Sequence, residues 1–484
     1  MRPVAASWRD RCPYRRPVAD VCPAHERIRA WCAGEMTTDV SERLARWQGL
    51  RAGLAHDDFR RRTGRVNRVS SLMVEASGPD VFVGELCRIE FAGRRGETCL
   101  AEVVGLREGS VLLMPFGETR GIGLDSEVVS TGRPVSLKVG RGLLGRVIDP
   151  FGQPIDGEPL LDADVSLPLR GQHRNPLSRR AIDQPFMTGL RAIDVFLPMG
   201  KGQRVGIFAG SGVGKSTLLG MVARDARSDV NVIALIGERG REVGDFLSRV
   251  LGPEGLARSV VVVATSDQPA LVRELAAHTA TAVAEYFSGQ GEDVLLIMDS
   301  VTRFAMAHRE IGLSVGEPPT ARGYTPSAFA ALPRLLERVG NFERCGSITG
   351  IYTVLVEGDD LHEPVSDHMR AILDGHIVLS RDLANQGHYP AIDLLKSVSR
   401  LSGDLWSAGE RDLVRRVLRG LSVRERQLDM IEIGAYKAGS NPELDDVIRM
   451  YPALEAFLLQ GPGEHTSRDD MYARLESLMS QGAH

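Results

Sequence analysis

From Arg204 the chain runs through an apolar stretch, Arg204-Val-Gly-Ile-Phe-Ala, into Ala209-Gly-Ser-Gly-Val-Gly-Lys-Ser216 and on into the helix-forming Thr217-Leu-Leu-Gly-Met-Val. A glycine-rich segment between a strand and a helix is built to hold phosphate, because backbone N–H groups can turn inward around phosphate oxygens and the helix start adds partial positive charge. Gly210, Gly212 and Gly214 supply the turns, with Ser211 and Val213 between them. Ala209 stands where the strict pattern has its first glycine. Lys215 can reach β- and γ-phosphates, and the Ser216 hydroxyl can ligate Mg²⁺. Asp299 closes the apolar run Val294-Leu-Leu-Ile-Met, and a carboxylate at that place in such a fold lies beside the loop on the metal side. Hydrolysis needs one more carboxylate, to polarise water. Glu238 follows the apolar run Val230 to Ile236, at the carboxyl end of a strand where open α/β sheets meet their ligands; taken alone, that position also suits a solvated loop acid.

These residues must be positioned by a sheet. Arg204–Ala209, Val230–Ile236, Val260–Ala264, Val294–Asp299, Gly346–Leu355 and His376–Ser380 are unbroken apolar runs alternating with helical segments. Strands buried on both faces require such runs, so a largely parallel sheet covered by helices is expected between about 185 and 400. Ahead of it, residues 63–140 carry short β-rich runs, among them Ser71–Glu75, Val111–Met114 and Val135–Val139, separated by glycine turns, which suggests a small barrel or sandwich. Leu144–Gly157, punctuated by Gly and Pro, reads as the junction. Beyond Leu401, Leu413, Val417 and Leu421, then Ile431 and Ile433, then Leu454, Phe457 and Leu458 fit a terminal helical bundle. The expected domains are 1–35, a poorly structured extension; 36–62, an amphipathic helix; 63–140; 141–400; and 401–484.

The helix rests on Val40, Leu44, Trp47, Leu50 and Leu54 at helical spacing, with Arg43, Arg46 and Arg51 opposite and a capping box offered by Asp39 and Glu42. A helix packed on its own domain and one docked on a partner or a lipid surface both fit. Residues 1–35 hold Cys12, Cys22 and Cys32 at a spacing that matches no zinc site, and Met36 offers a second start. Cys87, Cys99 and Cys345 read as free thiols. Lys and Arg total 59 against 63 Asp and Glu among 484 residues, so no overall basic excess marks the chain for nucleic acid. No run approaches the ~18 to 20 apolar residues that span a bilayer, and the first 35 residues lack a secretory signal's apolar core. A chain that stays in the cytosol is expected.

Gly237-Glu-Arg-Gly-Arg-Glu-Val243, Asp299-Ser-Val-Thr-Arg-Phe-Ala305, Gly323-Tyr-Thr-Pro-Ser327, Tyr389-Pro-Ala-Ile-Asp393 and Ser397-Val-Ser-Arg400 occur in an order and spacing that resembles the catalytic subunits of rotary ATP synthases. Within that superfamily, Gly206–Thr217 and Asp374-Gly-His-Ile-Val-Leu-Ser-Arg381 most resemble the flagellar protein-export ATPase, the energising ATPase of type III secretion. The resemblance covers about Gly64 to Gln460. It implies an α/β fold: a RecA-type P-loop ATPase core, an N-terminal small β-barrel and a C-terminal helical bundle.

The resemblance also implies that ATP and Mg²⁺ are bound by Ala209–Thr217, with Ser216 and Asp299 on the metal, and that Glu238 positions the lytic water. Arg239 and Glu242 support the site, Arg303 lies near the γ-phosphate, Tyr389 flanks adenine and Arg400 is the arginine finger of a neighbouring subunit. Read without the family, Tyr389 also fits a domain seam and Arg400 a surface salt bridge. Implied partners are five sister copies in a homo-hexamer, a cytosolic regulator docking on the basic helix, a central-stalk protein, an export gate, export substrates with their chaperones, and the cytoplasmic face of the inner membrane as a peripheral contact.

Three competitors remain. A host-injection (injectisome) type III ATPase differs little in these motifs. In a rotary synthase two chain types divide the roles, whereas this chain carries both Glu238 and Arg400, and Met430–Ser440 stands where catalytic synthase subunits have an acidic helix–turn segment. An RNA-translocating hexameric helicase would need aromatic-rich strands in the β domain, where residues 64–140 hold only Phe82, Phe91 and Phe116.

Overall fold

The computed structural model describes residues 62–93, 96–160, 162–171 and 174–481. The extension at 1–35 with its three cysteines, the second start at Met36 and the basic helix at Val40–Leu54 lie outside the described residues. The chain forms two compact units, one ending at Pro115 and resuming for Thr119–Pro134, the other comprising Phe116–Glu118 and everything from Val135.

The first unit is a closed barrel of β1 (Thr63–Val69), β2 (Val74–Ser77), β3 (Glu85–Glu90), β4 (Thr98–Arg107), β5 (Ser110–Pro115) and β6 (Glu127–Pro134), in the order β1-β2-β5-β4-β3-β6. Alternation of side chains sends Val66, Val74, Ala76, Ile89, Val103, Leu113 and Val128 into one buried cluster. Closure leaves no strand edge open. Val135–Val139, grouped by sequence with these runs, is not part of the barrel: β7 (Ser136–Val139) pairs antiparallel with β9 (Val165–Pro168) in the second unit. The reason is that β1 already closes on β6 through Thr63–Arg65, leaving no free edge for another strand.

The second unit is organised by an eight-stranded sheet. Its members are β8 (Val147–Ile148), β12 (Arg204–Ala209), β13 (Val230–Glu238), β14 (Ser259–Thr265), β15 (Val294–Asp299), β16 (Ile348–Leu355), β17 (Gly375–Leu379) and β18 (Ile392–Ser399), in the order β18-β17-β12-β16-β15-β13-β14-β8. The short strands β10 (Pro185–Phe186) and β11 (Met199–Gly200) form a separate pair. Only β18, at one edge, runs antiparallel to its neighbour. Every residue of β15 is buried, as is nearly every residue of β12, β13, β14 and β16, so both faces of these strands are covered. The parallel strands share one direction, and their carboxyl ends therefore gather the segments that follow Ala209, Glu238 and Asp299.

The C-terminal helices Ala408–Arg426, Pro442–Leu458 and Arg468–Gln481 share one buried cluster with the sheet, through Leu413, Val417, Met450, Leu454, Phe457 and Leu475. Trp406 Nε1 and Tyr472 Oη both donate to the carbonyl of Val195, at 3.0 and 3.3 Å. Ile433 does not join this bundle. It is 74% exposed and lies just past a short helix, Leu428–Glu432, that buries no residue; Ile431 on that helix does not join the buried cluster either, because the turn at Gly434 (φ 68°) carries the chain away.

Toward the amino ends of the parallel strands lies a buried ion pair: Glu285 is in the last turn of the helix Ala270–Gly289, before β15, and Arg338 precedes β16. Arg338 donates from Nε and Nη2 to both oxygens of Glu285, at 3.1 and 2.7 Å, and from Nη1 to the carbonyl of Leu169 at 2.8 Å. Nη1 also lies 3.3 Å from His278 Nδ1. An arginine can only donate, so the His278 ring carries its proton on Nε2, which donates to Glu274 Oε1 at 3.0 Å. Glu274, His278 and His308 stand close enough together to suggest a cation site, but a nitrogen already committed as a donor is not a metal ligand. The group instead fastens the helix Ala270–Gly289 to the helix Val301–Val315, through His308 Nε2 3.3 Å from Glu274 Oε1, and to Arg338 just past the helix Pro326–Leu336. Replacing Glu285 by Ala leaves the Arg338 fork buried without its carboxylate, a loss expected to cost about 3–5 kcal/mol. Glu285→Ala with Arg338→Met should recover most of it, as read from urea unfolding.

Candidate active site

The glycine-rich segment is shaped as a cradle. Gly212 and Gly214 have φ of 79° and 88°, and Gly214 is the N-cap of the helix Lys215–Asp225. Val213 turns into the core, whereas Ser211 and Ser216 face outward. Lys215, the first helical residue, sends its ammonium across β16 to Asp299 at the end of β15, with Nζ 2.5 Å from Oδ1. Nζ is also 3.6 Å from Glu238 Oε1. Thr353 of β16, lying between, donates to Asp299 Oδ1 at 2.7 Å.

Glu238 is where burial and charge compete most sharply. Loss of solvent pushes its carboxyl up, the Lys215 ammonium pulls it down, and Asp299 and a hydrogen bond with Glu242 push it up again; the result is a pKa raised to about 7. The hydrogen bond with Glu238 in turn holds the Glu242 carboxyl below its usual range. Arg303 reaches the same carboxylate, its Nε 4.0 Å from Oε1. It can do so because residue 237 is glycine: φ is +68°, and a Cβ there would stand 2.5 Å from Arg303 Cδ. Ser300 caps the helix Val301–Val315 and accepts from Arg303 N at 3.3 Å, which fixes where that side chain begins.

The structure thus brings together Lys215, Glu238, Asp299 and Arg303. Glu242 stands at the margin, and Arg239, 80% exposed, pairs with it at 3.7 Å over the surface. Tyr389 lies on the other side of the loop, its ring 3.1 Å from the position a Gly214 Cβ would take. It borders a cavity of about 260 Å³ with Val213, Thr217 and Leu218 on one wall and Leu459, Gln460 and Pro462 on another. The second wall is absent from the sequence reading, although Gly461-Pro-Gly463 between two helical runs signals the break. Gln460 N donates to Tyr389 O at 3.0 Å, which joins the two walls.

Arg400 is not brought to this site. It follows Ser399, which pairs with Gly375 at the start of β17, and β17 runs beside β12 with His376 opposite Gly206. That places Arg400 level with Arg204 at the amino end of the parallel strands, roughly 20 Å along the strand direction from Gly210 at about 3.3 Å per residue. Its Nη2 donates to the carbonyl of Arg370 at 2.8 Å.

A parallel sheet with a phosphate cradle, a lysine and two carboxylates at its carboxyl ends defines a phosphate-loop nucleotide-binding protein. Family models agree: residues 189–399 match the ATP synthase alpha/beta family nucleotide-binding domain, 66–132 its beta-barrel domain, and 406–477 the T3SS EscN ATPase C-terminal domain. The chain is 52% identical over 421 residues to the flagellum-specific ATP synthase of Bacillus subtilis (strain 168), covering 87% of this chain and 96% of that one. It is 46% identical over 420 residues to the type 3 secretion system ATPase of Xanthomonas euvesicatoria, covering 86% and 94%. The assembled ATPase EscN of the enteropathogenic E. coli type III secretion system superposes with a TM-score of 0.81 at 41% identity, over 86% of this chain and all of that one. EscN in complex with its central stalk EscO gives 0.79, also at 41% identity and over the same shares of the two chains. The chain belongs to the ATP synthase α/β family, in its branch of flagellar and type III secretion ATPases, and is an ATP-hydrolysing enzyme.

The charges around Glu238 make its titration a direct check. Asp299→Asn removes a neighbouring negative charge and should lower the Glu238 midpoint below about 7; Lys215→Met removes the positive one and should raise it above. Isotope-edited infrared or carboxyl-carbon NMR of the nucleotide-free protein reads both shifts, and shifts of the same sign would contradict the arrangement.

Proposed function

We propose that this chain hydrolyses ATP at the Lys215–Glu238–Asp299 cluster, as a ring of six identical copies, and that hydrolysis energises export of unfolded proteins through a flagellar type III secretion apparatus. The loop's backbone N–H groups hold the phosphate chain, and Lys215 transfers its ammonium from Asp299 to the β- and γ-phosphates. The Ser216 hydroxyl and the Asp299 carboxylate are hard oxygen donors of the kind Mg²⁺ takes, and the ion neutralises charge on the phosphates when bound. Glu238, ionised, orients and polarises the attacking water. Arg303 faces the γ-phosphate, Arg239 and Glu242 hold the margin, and Tyr389 covers the adenine in the adjoining cavity.

The single observation that carries the ring is the position of Arg400. An exposed arginine at the amino end of the strands cannot serve the phosphates of its own chain, so its catalytic use requires a neighbour's site. The identity to the Bacillus flagellar relative, 52% against 46% for the Xanthomonas type 3 protein, favours a flagellar over an injectisome system. A central stalk like the one that accompanies EscN is the expected axial partner. A cytosolic regulator on the basic segment Val40–Leu54, the export gate, chaperoned substrates and the inner-membrane face complete the proposed surroundings.

Lys215→Ala should abolish hydrolysis and most nucleotide binding, whereas Glu238→Gln should keep ATP binding and lose turnover; normal turnover in either purified variant refutes the role assigned. Arg400→Ala should lower the rate by about 10³ to 10⁵, and the specific activity of the native protein should rise with concentration. Mixing Arg400→Ala with Lys215→Ala chains should restore activity at interfaces pairing an intact Lys215 with a neighbour's Arg400. Mixed rings without activity above either parent would refute the shared site.

A further inference from the structure

Gly210 has no positive φ to justify a glycine. What stands in the way of a side chain there is a pair of charged groups: a Cβ on residue 210 would lie 2.6 Å from both Arg381 Nη2 and Asp359 Oδ1. Arg381 begins the short helix Arg381–Asn385 after β17. Its Nε donates to Asp359 Oδ2 at 3.1 Å, and its Nη1 to the carbonyl of Ser211, inside the phosphate loop, at 3.1 Å. One guanidinium therefore ties the loop's backbone to the turn that follows β16.

That turn is itself held. Asp359 adopts φ 59° and the preceding Gly358 φ 62°, a left-handed pair that aspartate tolerates better than most residues. The turn sends the neighbouring acid the other way, and Asp360 Oδ2 accepts from Arg322 Nη2 at 3.0 Å while its Oδ1 accepts from His362 N at 3.0 Å. Asp359 is thus a fixed post.

We infer that Arg381 and Asp359 act as one positioning brace for nucleotide binding. With the Ser211 carbonyl drawn outward onto Arg381, the loop's N–H groups are left facing the space where phosphate sits. Neither residue touches the phosphates through a described contact; they act through the loop. The pair is solvent-exposed, 44% and 48% at the side chains, and an exposed ion pair adds little to stability. Keeping it beside a crowded glycine has a purpose in loop geometry rather than in folding. The loop's N–H groups grip the phosphate chain alike before and during hydrolysis, so losing their alignment raises KM and leaves kcat nearly unchanged.

The inference rests on the phosphate-binding reading of the loop, and the experiment separates the two. In the full-length protein, Arg381→Ala, Asp359→Ala and the double variant are compared for KM and kcat with ATP, for binding of fluorescently labelled ADP, and for melting temperature. Each single variant should weaken ADP binding and raise KM by about tenfold to a hundredfold, with kcat within about twofold and melting unchanged. The double variant should be no worse than either single, because the two act as a unit. Asp359→Asn, which keeps an acceptor for Nε, should recover most of the loss. Additive losses, or a fall in melting temperature that tracks the loss of affinity, would overturn the brace. If Lys215→Ala loses ADP binding while Arg381→Ala and Asp359→Ala bind normally, the brace alone fails; if Lys215→Ala also binds normally, the reading of the loop fails with it.

Discussion

Everything in the second unit serves the convergence of one ammonium and two carboxylates at the ends of strands buried on both faces. Lys215, Glu238 and Asp299 are charged groups largely withdrawn from water, and charges so placed persist only when they satisfy one another. Their mutual distances depend on register: Leu235 of β13 lies opposite Asp299 of β15, and β16 places Thr353 to hold the latter. A slip of one residue in any of these strands would turn a carboxylate to the other face of the sheet. The long apolar runs are therefore both the core and the ruler of the site.

Around that centre the work is divided between separate pieces of chain. The loop after β12 forms the proposed phosphate cradle, and the segment Leu459–Glu464, arriving from between two C-terminal helices, faces the cavity beside Tyr389. The buried Arg191, first residue of the helix Arg191–Phe196, ties this segment to the rest of the unit: its backbone N–H donates to Gln460 Oε1 at 2.9 Å, and its Nη2 donates to Glu464 Oε2 at 3.0 Å. A connecting segment remote in sequence is thereby hydrogen-bonded to the nucleotide-binding domain. In the proposed cycle this gives the C-terminal helices a direct mechanical link to the base, while Arg381 and Asp359 link the phosphate end to the turn after β16.

Glu238 illustrates why such a site is balanced rather than simply strong. Its carboxyl is driven up by burial and by Asp299 and drawn down by Lys215 and Arg303. In the proposed reaction Lys215 moves onto phosphate, so the balance at Glu238 changes with the occupant of the loop. A group poised near neutrality can change protonation with one neighbour's displacement, which a carboxylate free in solvent cannot do.

The amino-acid sequence by itself determined the loop, the strands that flank it and the carboxylates that end two of them, because apolar continuity and glycine spacing are local properties. Its motifs also carried the family, and with it the barrel and helical domains. Sequence could not show that Val135–Val139 leaves the barrel, that Ile433 stays exposed, or that Leu459–Pro462 walls the Tyr389 cavity, because each depends on which edge or surface is already occupied by residues far along the chain. Arg400 shows the same limit: its motif was legible, but its distance from the chain's own loop follows from β18 pairing antiparallel at the sheet edge. Gly210 is the clearest case. Its presence in the loop reads as backbone freedom, and only the tertiary structure reveals that the space beside it is taken by Arg381 and Asp359, brought there from the segments that follow β17 and β16.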